Sequence, residues 1–420
     1  MTCPSRHRSI RLKPIAALAV LSWIACATCS GAMADGTVKL DEFTKPLDDQ
    51  GTLTLKGIEF VDTNLSEAEI RTILSATKPG DADALVAKLN AASIAISEGT
   101  LAGKDHTFTI RNIKATDVKQ GKIARVSIGS IEGHGEVQDA GTATFKVGSV
   151  TIDQIDFRAA LPALAGATAP PTSPVEAERM VLSDVDMTVP DAETPKAAPG
   201  GNLYRIKLAS LTVATTRGEV TTTTAILDKL VIVPPKFSQA GQSLAQIGYD
   251  EIDFDAKFSG RHDRKARSYA IEDLSIGWAG VGSIGFEAKL GGIDEAAMNG
   301  GQDAMAKALA EADISHLAIR LTNAGYFEKA VAEEAARQNK TAEEIKAFWR
   351  FTLLATLPID PANPTAKKIT DAVSAFIANP KNLTITFDAK GAPIKFSDFS
   401  TLTSPDDLLA LVDINAVANQ

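Results

Sequence analysis

Gly51-Thr52-Leu53-Thr54-Leu55-Lys56-Gly57-Ile58-Glu59-Phe60-Val61 has the composition of a β-strand, but its apolar residues do not simply alternate. Leu55, Ile58 and Phe60 instead spell an apolar residue, two intervening ones, then apolar-x-apolar. The phrase recurs at Ile110/Ile113/Ala115, Ile152/Ile155/Phe157, Leu182/Val185/Met187, Leu208/Leu211/Val213, Leu227/Leu230/Ile232 and Ile271/Leu274/Ile276. Side chains alternate faces along a regular strand, so positions i and i+3 point to opposite sides. A strand carrying the phrase therefore either buries both faces or changes parity at a bulge. Successive phrases lie 19 to 55 residues apart. A stacked solenoid needs a fixed period, so the pattern predicts one irregular sheet system.

Working outward, Ser66 to Thr77 has helical spacing and opens with Ser66 and Glu69 in the arrangement of a capping box. Asp81 to Ala92 reads as a second short helix. His106 to Phe157 turns two-periodic and rich in Thr, Val and Ile, the pattern of strands. Residues 162–178 and 190–201 are rich in Pro, Ala, Thr and Gly, and read as loops around a strand at Met180–Val189. Strands resume at Leu203–Ala214, Glu219–Val233, Glu251–Ser259, Ser268–Trp278, Ser283–Leu290 and Ile314–Leu321. Helices follow at Asp294–Ala312, Gly325–Asn339, Thr341–Leu357 and Thr365–Ala378, the third again with a capping box (Thr341, Glu344). A strand at Leu383–Asp388 and a short helix opened by Ser404-Pro405 complete the reading.

The first 34 residues read as a cleavable secretory signal. Arg6, Arg8, Arg11 and Lys13 form a basic start, Ile15–Ala27 an apolar centre, and Ala32-Met33-Ala34 a small-x-small cleavage site. Lipidation at Cys26 and an uncleaved anchor are the alternatives to this periplasmic expectation. Cys3, Cys26 and Cys29 all fall in this segment, so the expected mature chain has no thiol, disulfide or Cys-ligated metal. Without the four basic residues of the segment, the 43 Lys and Arg become 39 against 52 Asp and Glu, a net charge of −13. That balance argues against nucleic acid as a partner. No second long apolar run is present, so the mature chain is expected to lack a transmembrane span.

Motifs for chemistry are sparse. Gly280-Val281-Gly282-Ser283-Ile284-Gly285 spells G-x-G-x-x-G, but Phe286-Glu287-Ala288-Lys289-Leu290 follows with period two, so it reads as a hairpin turn and not a dinucleotide loop. Glu132-Gly133-His134-Gly135-Glu136 could present acid, imidazole and acid to a metal, yet lacks a further ligand and reads as a solvated turn. Glu251, Asp253 and Asp255 alternate as any half-buried strand does. His106, His134, His262 and His316 are scattered, with His262 placed in a loop, and no nucleophile elbow exists. No catalytic residue, metal or cofactor is expected, and the chain is read as a non-enzyme.

Two features could contact a ligand. In the helix beginning at Ala342, Ile345, Phe348, Trp349 and Thr352 define one stripe, and Phe351, Leu353, Leu354 and Leu357 extend it most of the way round, which suits either burial on two sides or an apolar face for a ligand, membrane or partner. Phe327 and Val331 on the preceding helix are its natural partners in a helical hairpin. Arg261, Arg264, Lys265 and Arg267 crowd one hairpin tip, which suits either an anionic contact or simple solubility.

The strand phrases, quoted at Thr109–Ala115, Val150–Phe157 and Ala270–Trp278, together with the signal segment and cysteine-free body, resemble bacterial envelope proteins of the AsmA-like and TamB-like kind. That resemblance implies a long bent sheet forming a taco-like groove, and a role in lipid transfer or envelope maintenance. It carries over no functional residues. The expected fold is α+β and β-dominated: a large, bent, mainly antiparallel sheet with a C-terminal helical subdomain packed on it. Its segments are 1–34 (signal), 35–161 (sheet with two short helices), 162–201 (loops around one strand), 202–322 (continuing sheet) and 323–420 (helices with one strand). The expected function is a periplasmic, non-catalytic protein that binds or shields an apolar, lipid-like ligand, with an envelope protein as a further partner. A structural or interaction protein with a closed core is the alternative, and a hydrolase the third reading.

Overall fold

The computed structural model describes residues 36–47, 51–76, 79–120, 122–137, 140–156, 177–195, 198, 201–299, 301–356, 363–401 and 405–420. The expected signal segment with its expected cleavage site, and residues 162–176 of the Pro/Ala-rich stretch, lie outside the described residues. The strands are β1 (Gly36–Pro46), β2 (Thr52–Thr63), β3 (Asn90–Ala102), β4 (His106–Lys119), β5 (Lys122–Val137), β6 (Gly141–Asp156), β7 (Arg179–Pro190), β8 (Leu203–Thr216), β9 (Val220–Val233), β10 (Ile252–Asp263), β11 (Ser268–Trp278), β12 (Gly282–Gly291), β13 (Asp313–Asn323), β14 (Asn382–Ala389), β15 (Ile394–Lys395) and β16 (Val412–Ala418). The helices are α1 (Glu67–Ser75), α2 (Pro79–Val86), α3 (Gln239–Gln246), α4 (Glu295–Asn299), α5 (Gly301–Ala310), α6 (Tyr326–Gln338), α7 (Ala342–Thr356), α8 (Pro364–Ala378) and α9 (Pro405–Leu411).

Among the described residues, the fold is β-dominated, with 55% strand in one antiparallel, open sheet of 16 strands. Strand order follows chain order from β1 to β14 and then β16, with β15 pairing β13. The chain divides into two compact units, Met1–Ile206 with Pro234–Gln242, and Lys207–Val233 with Ser243–Gln420.

In the first unit, the repeated phrase is resolved by a parity change. Its third position adopts a left-handed backbone at Gly57 (φ 60°), Asn112 (56°), Gln154 (53°) and Asp184 (56°). One such residue turns the strand so that positions i and i+3 share a face. Leu55, Ile58 and Phe60 are accordingly all buried, as are Ile110, Ile113 and Ala115. The same device recurs without the full phrase at Asp62 and Asp117. Strand registers skip at these positions, so the irregularities line up across the sheet: Gly57, Ser97, Asn112 and Gly129 form one file. Asp62, Ala92, Asp117, Ala124 and Gln154 form a second. The residue facing each left-handed one is small. A Cβ on Gly129 would lie 2.9 Å from that of Asn112, and one on Gly148 would lie 2.7 Å from that of Asp184.

With parity corrected, one face of β1–β7 is apolar and forms a single core with Ile70, Ile73 and Leu74 of α1 and Val86 of α2. The opposite face carries ion pairs across strands: Lys39–Glu59, Lys56–Glu98 with Arg111 on the same carboxylate, and Arg125–Asp153. The Ser66 hydroxyl accepts from the Glu69 amide while the Glu69 carboxylate accepts from the Ser66 amide, so the predicted capping box forms. The Ser66 amide first, and then the Ser66 hydroxyl donating to the same carboxylate at 2.8 Å, hold the Glu69 carboxyl below its ordinary value.

Several expectations are corrected. Glu132–Glu136 is no turn but the end of β5, because Gly133 gives room to the rings of Phe108 and Phe145 on the adjoining strands. His262 is not in a loop: it is buried in β10, its Nε2 3.1 Å from the Ile293 carbonyl oxygen. The helix expected over Asp81–Ala92 ends at Val86, and Asn90 starts β3, where Ala91, Ile94 and Ile96 join the core. The one expected over Asp294–Ala312 is two short helices, α4 and α5. Strands β1, β3, β15 and β16 were not foreseen.

Two measurements test this account. Asn112→Val puts a β-branched side chain at a left-handed position and is expected to cost about 1–2 kcal/mol in urea unfolding, whereas Asn112→Gly stays close to the unsubstituted protein. Glu69→Gln removes a carboxylate whose pKa is lowered by folding. Its cost should be full above the ordinary value of 4.5 and vanish as pH falls through the lowered native value, as read by unfolding midpoints across acid pH.

Candidate functional site

The second unit contains a sheet face that no described helix covers at its centre. Residues directly opposed across antiparallel strands share a face. Three such rows are apolar across β9–β12: Leu230, Phe254, Trp278 and Gly282; Leu227, Ala256, Ile276 and Ile284; Ala225, Phe258, Leu274 and Phe286. The second and third continue through Leu321 and Ile319 of β13, then Leu383 and Ile385 of β14, to Ala418 and Ala416 of β16.

Helices close this face at its margins. Over β14 and β16, α8 packs Ile369, Ala372, Val373 and Phe376 against Leu383, Ile385 and Ala416. Toward the β10–β11 turn, Ile293, Ala297 of α4 and Ala312 bury against Tyr269 and Leu290. Burial there pushes the Tyr269 phenol above its ordinary pKa. The middle stays open, with Leu274 37% exposed, Ile276 47% and Ile284 51%. At four strands by about five residues, this floor measures about 14 by 13 Å.

The floor has almost no polar function. Apart from the Trp278 indole, no side chain in the three rows can donate or accept a hydrogen bond, and the backbone groups of interior strands serve the ladder. The reverse face is polar, with the pairs Lys257–Asp273 at 2.8 Å and Arg320–Glu287, and Ser259 donating to Glu272 at 3.1 Å. Parity in this unit is again adjusted at the phrases. Lys229 is left-handed (φ 52°) with its amide donating to Asp255 Oδ1 at 2.7 Å, and the β11–β12 register shifts between Ile271 and Leu274.

One end of the floor has a built rim. Trp278 packs against Tyr249 with the rings tilted by 43° and their centroids 5.2 Å apart, and the Tyr249 hydroxyl donates to the Gly280 carbonyl at 2.9 Å. Lys329 Nζ of α6 sits 3.7 Å from the centre of the Tyr249 ring and 3.4 Å from the Gly248 carbonyl oxygen.

The ligand-binding residues expected on α7 are split by the structure. Trp349 packs edge-to-face on Phe327, centroids 5.4 Å apart, within the predicted helical-hairpin core of Val331, Ala335 and Ile345. Phe348 (49%) and Phe351 (68%) are exposed, and the side chain of Leu354 lies outside the described residues. In the basic hairpin tip, three cations have carboxylate partners: Arg264 with Glu295 at 3.5 Å, Lys265 with Glu219 at 3.9 Å, and Arg267 with Asp294 at 3.6 Å. Arg261 lies one strand position before His262 and lines an open polar hollow with Asp263, Lys289 and Asp313. Among the described residues no cluster of His, Cys, Asp and Glu could hold a metal ion, and no helix is long and apolar enough to cross a membrane.

The floor was missed because its residues look like ordinary core in sequence. Leu274 and Ile276 belong to a repeated phrase, and Phe254, Phe258, Ile284 and Phe286 alternate normally. Only the position of the helices leaves them open.

Because Ile276 and Ile284 are already half-exposed, Ile276→Ser and Ile284→Ser should each cost under about 1 kcal/mol in chemical unfolding. Ile94→Ala, in the closed core of the first unit, should cost about 2–5 kcal/mol.

Residues 275–419, within the second unit, match the model of a family described as "Uncharacterized protein". No curated protein matches the chain.

Proposed function

We propose that this is a non-catalytic protein that holds an apolar, lipid-like chain on the open floor of β9–β12. The carrying observation is the contiguous exposure of Leu274, Ile276 and Ile284 on adjacent strands, between margins that helices cover. Contiguous exposed apolar area of this kind favours an apolar occupant. Full burial of a side chain such as Ile contributes about 1.5–3 kcal/mol, so a hydrocarbon chain over three of them recovers a useful part of that. A floor whose one hydrogen-bonding side chain is the Trp278 indole at its end suits a polymethylene chain better than a polar small molecule. The reading of residues 1–34 as a secretory signal and the resemblance to AsmA-like and TamB-like proteins support placing this activity in the bacterial envelope, with an envelope protein as a further partner.

The test uses a fluorescent acyl probe with the full chain. Saturable uptake, abolished by Ile276→Asp together with Ile284→Asp while unfolding midpoints stay near the parent value, is expected. Native mass spectrometry of gently purified protein should show bound lipid. Absence of both co-purifying lipid and probe uptake defeats the proposal.

A further inference from the structure

Resting on the proposed apolar-ligand reading, we infer that the site takes an anionic single-chain amphiphile whose headgroup is recognised by Lys329 at the Tyr249–Trp278 rim. The argument starts from the ammonium. Among the described residues no carboxylate lies within ion-pair distance of Lys329. Its contacts are the Tyr249 ring face and the Gly248 carbonyl. The acid one turn on, Glu333, forms no ion pair with it, and Glu328 beside it in the chain accepts from Asn323 Nδ2 at 2.7 Å. Several exposed cations of this unit, among them Lys257, Arg264, Lys265, Arg267 and Arg320, do have carboxylates. Lys329 stands without one where the apolar rows end.

Its position is also held. Tyr249 is fixed at one end by its hydroxyl on Gly280 and is flanked by the tilted Trp278 ring, so the ring that carries Lys329 cannot swing freely. An ammonium has three donors. One is directed at Gly248 and one side rests on the ring, which leaves donor capacity for an incoming oxyanion. An ammonium on an aromatic face gains modestly from the ring and keeps its full charge.

The spacing matches an amphiphile. The floor runs from Trp278 back to Leu274 along β11, four residues or about 13 Å. A chain of about ten carbons covers that length in extended form. At the far end, Ile293, Ala297 and Ala312 close the face over Leu290 and Tyr269, whose hydroxyl offers a hydrogen bond but no positive charge, so a charged end would be desolvated there without a counter-ion. The charge therefore belongs at the Lys329 end.

Decanoate and decan-1-ol, which share a chain and differ in headgroup, provide the test, with binding to the full protein followed by Trp278 fluorescence in a Trp23→Phe, Trp349→Phe background and checked by calorimetry. The unsubstituted protein should bind decanoate about tenfold more tightly at low salt, the size expected of one accessible charge-assisted contact. Molar salt should erode that preference. Lys329→Met should bring decanoate down to the level of decan-1-ol and leave decan-1-ol unchanged, while Lys329→Arg keeps the preference. Equal affinity for the two ligands in the unsubstituted protein overturns the headgroup inference and leaves the apolar-ligand reading standing. A Lys329→Met protein that loses both ligands equally overturns it too, since Lys329 would then merely support the rim. Binding of neither ligand overturns the apolar-ligand reading itself.

Discussion

The left-handed residue inside the strand is the constraint on which the sheet depends. A regular strand could not bury Leu55 and Ile58 together, or Ile110 and Ile113, because their spacing is odd. Gly57 and Asn112 restore a common face by stepping into a backbone region open to few residue types. Each step displaces the neighbouring backbone, and Gly129 and Gly148 supply the missing volume. Sequence pattern, backbone conformation and cross-strand partner are therefore three parts of one condition. A change to any one of them transmits along the file to the strands on either side.

The two units use their apolar faces differently. In the first, α1 and α2 join a closed cluster whose members are almost wholly buried, and ion pairs occupy the reverse side. In the second, the helices are displaced to the margins, so Ile276 and Ile284 remain half-open although their strands are patterned like core. Stability alone does not call for that arrangement, because an exposed branched side chain forgoes most of the transfer free energy it could contribute. Contact with something else gives it a use.

Much of the architecture was legible in the sequence. Period-two runs located most strands, and Ser66–Glu69 and Thr341–Glu344 located helix starts through hydrogen bonds that act over three residues. The phrase itself announced a bulge or a doubly buried strand, and in the first unit the bulge is what occurs. Other features were hidden for identifiable reasons. β16 draws its identity from pairing with β14, more than twenty residues back, which local pattern does not encode. Gly133 and Gly135 suggested a turn, since a glycine needed for close approach looks the same as one needed for bending. The open floor was hidden for a deeper reason: exposure depends on where α4, α5 and α8 come to rest, and an uncovered isoleucine reads as a covered one. The Tyr249–Lys329 contact joins residues 80 apart with no shared motif.

Chain-order pairing gives this protein an unusual freedom of length. Apart from β15, neighbours in the sheet are neighbours in the chain, so most contacts close over short loops and a segment can begin to order as soon as two strands exist. In the second file the left-handed residues Asp62, Asp117 and Gln154 alternate with Ala92 and Ala124 from strand to strand. Inserting or deleting a single strand would set two left-handed residues, or two alanines, side by side. Adding or removing a whole hairpin would preserve the alternation and every crossing. The natural increment by which such a sheet grows or shrinks is therefore the hairpin, and its size can drift in steps of two strands without redesign of what remains.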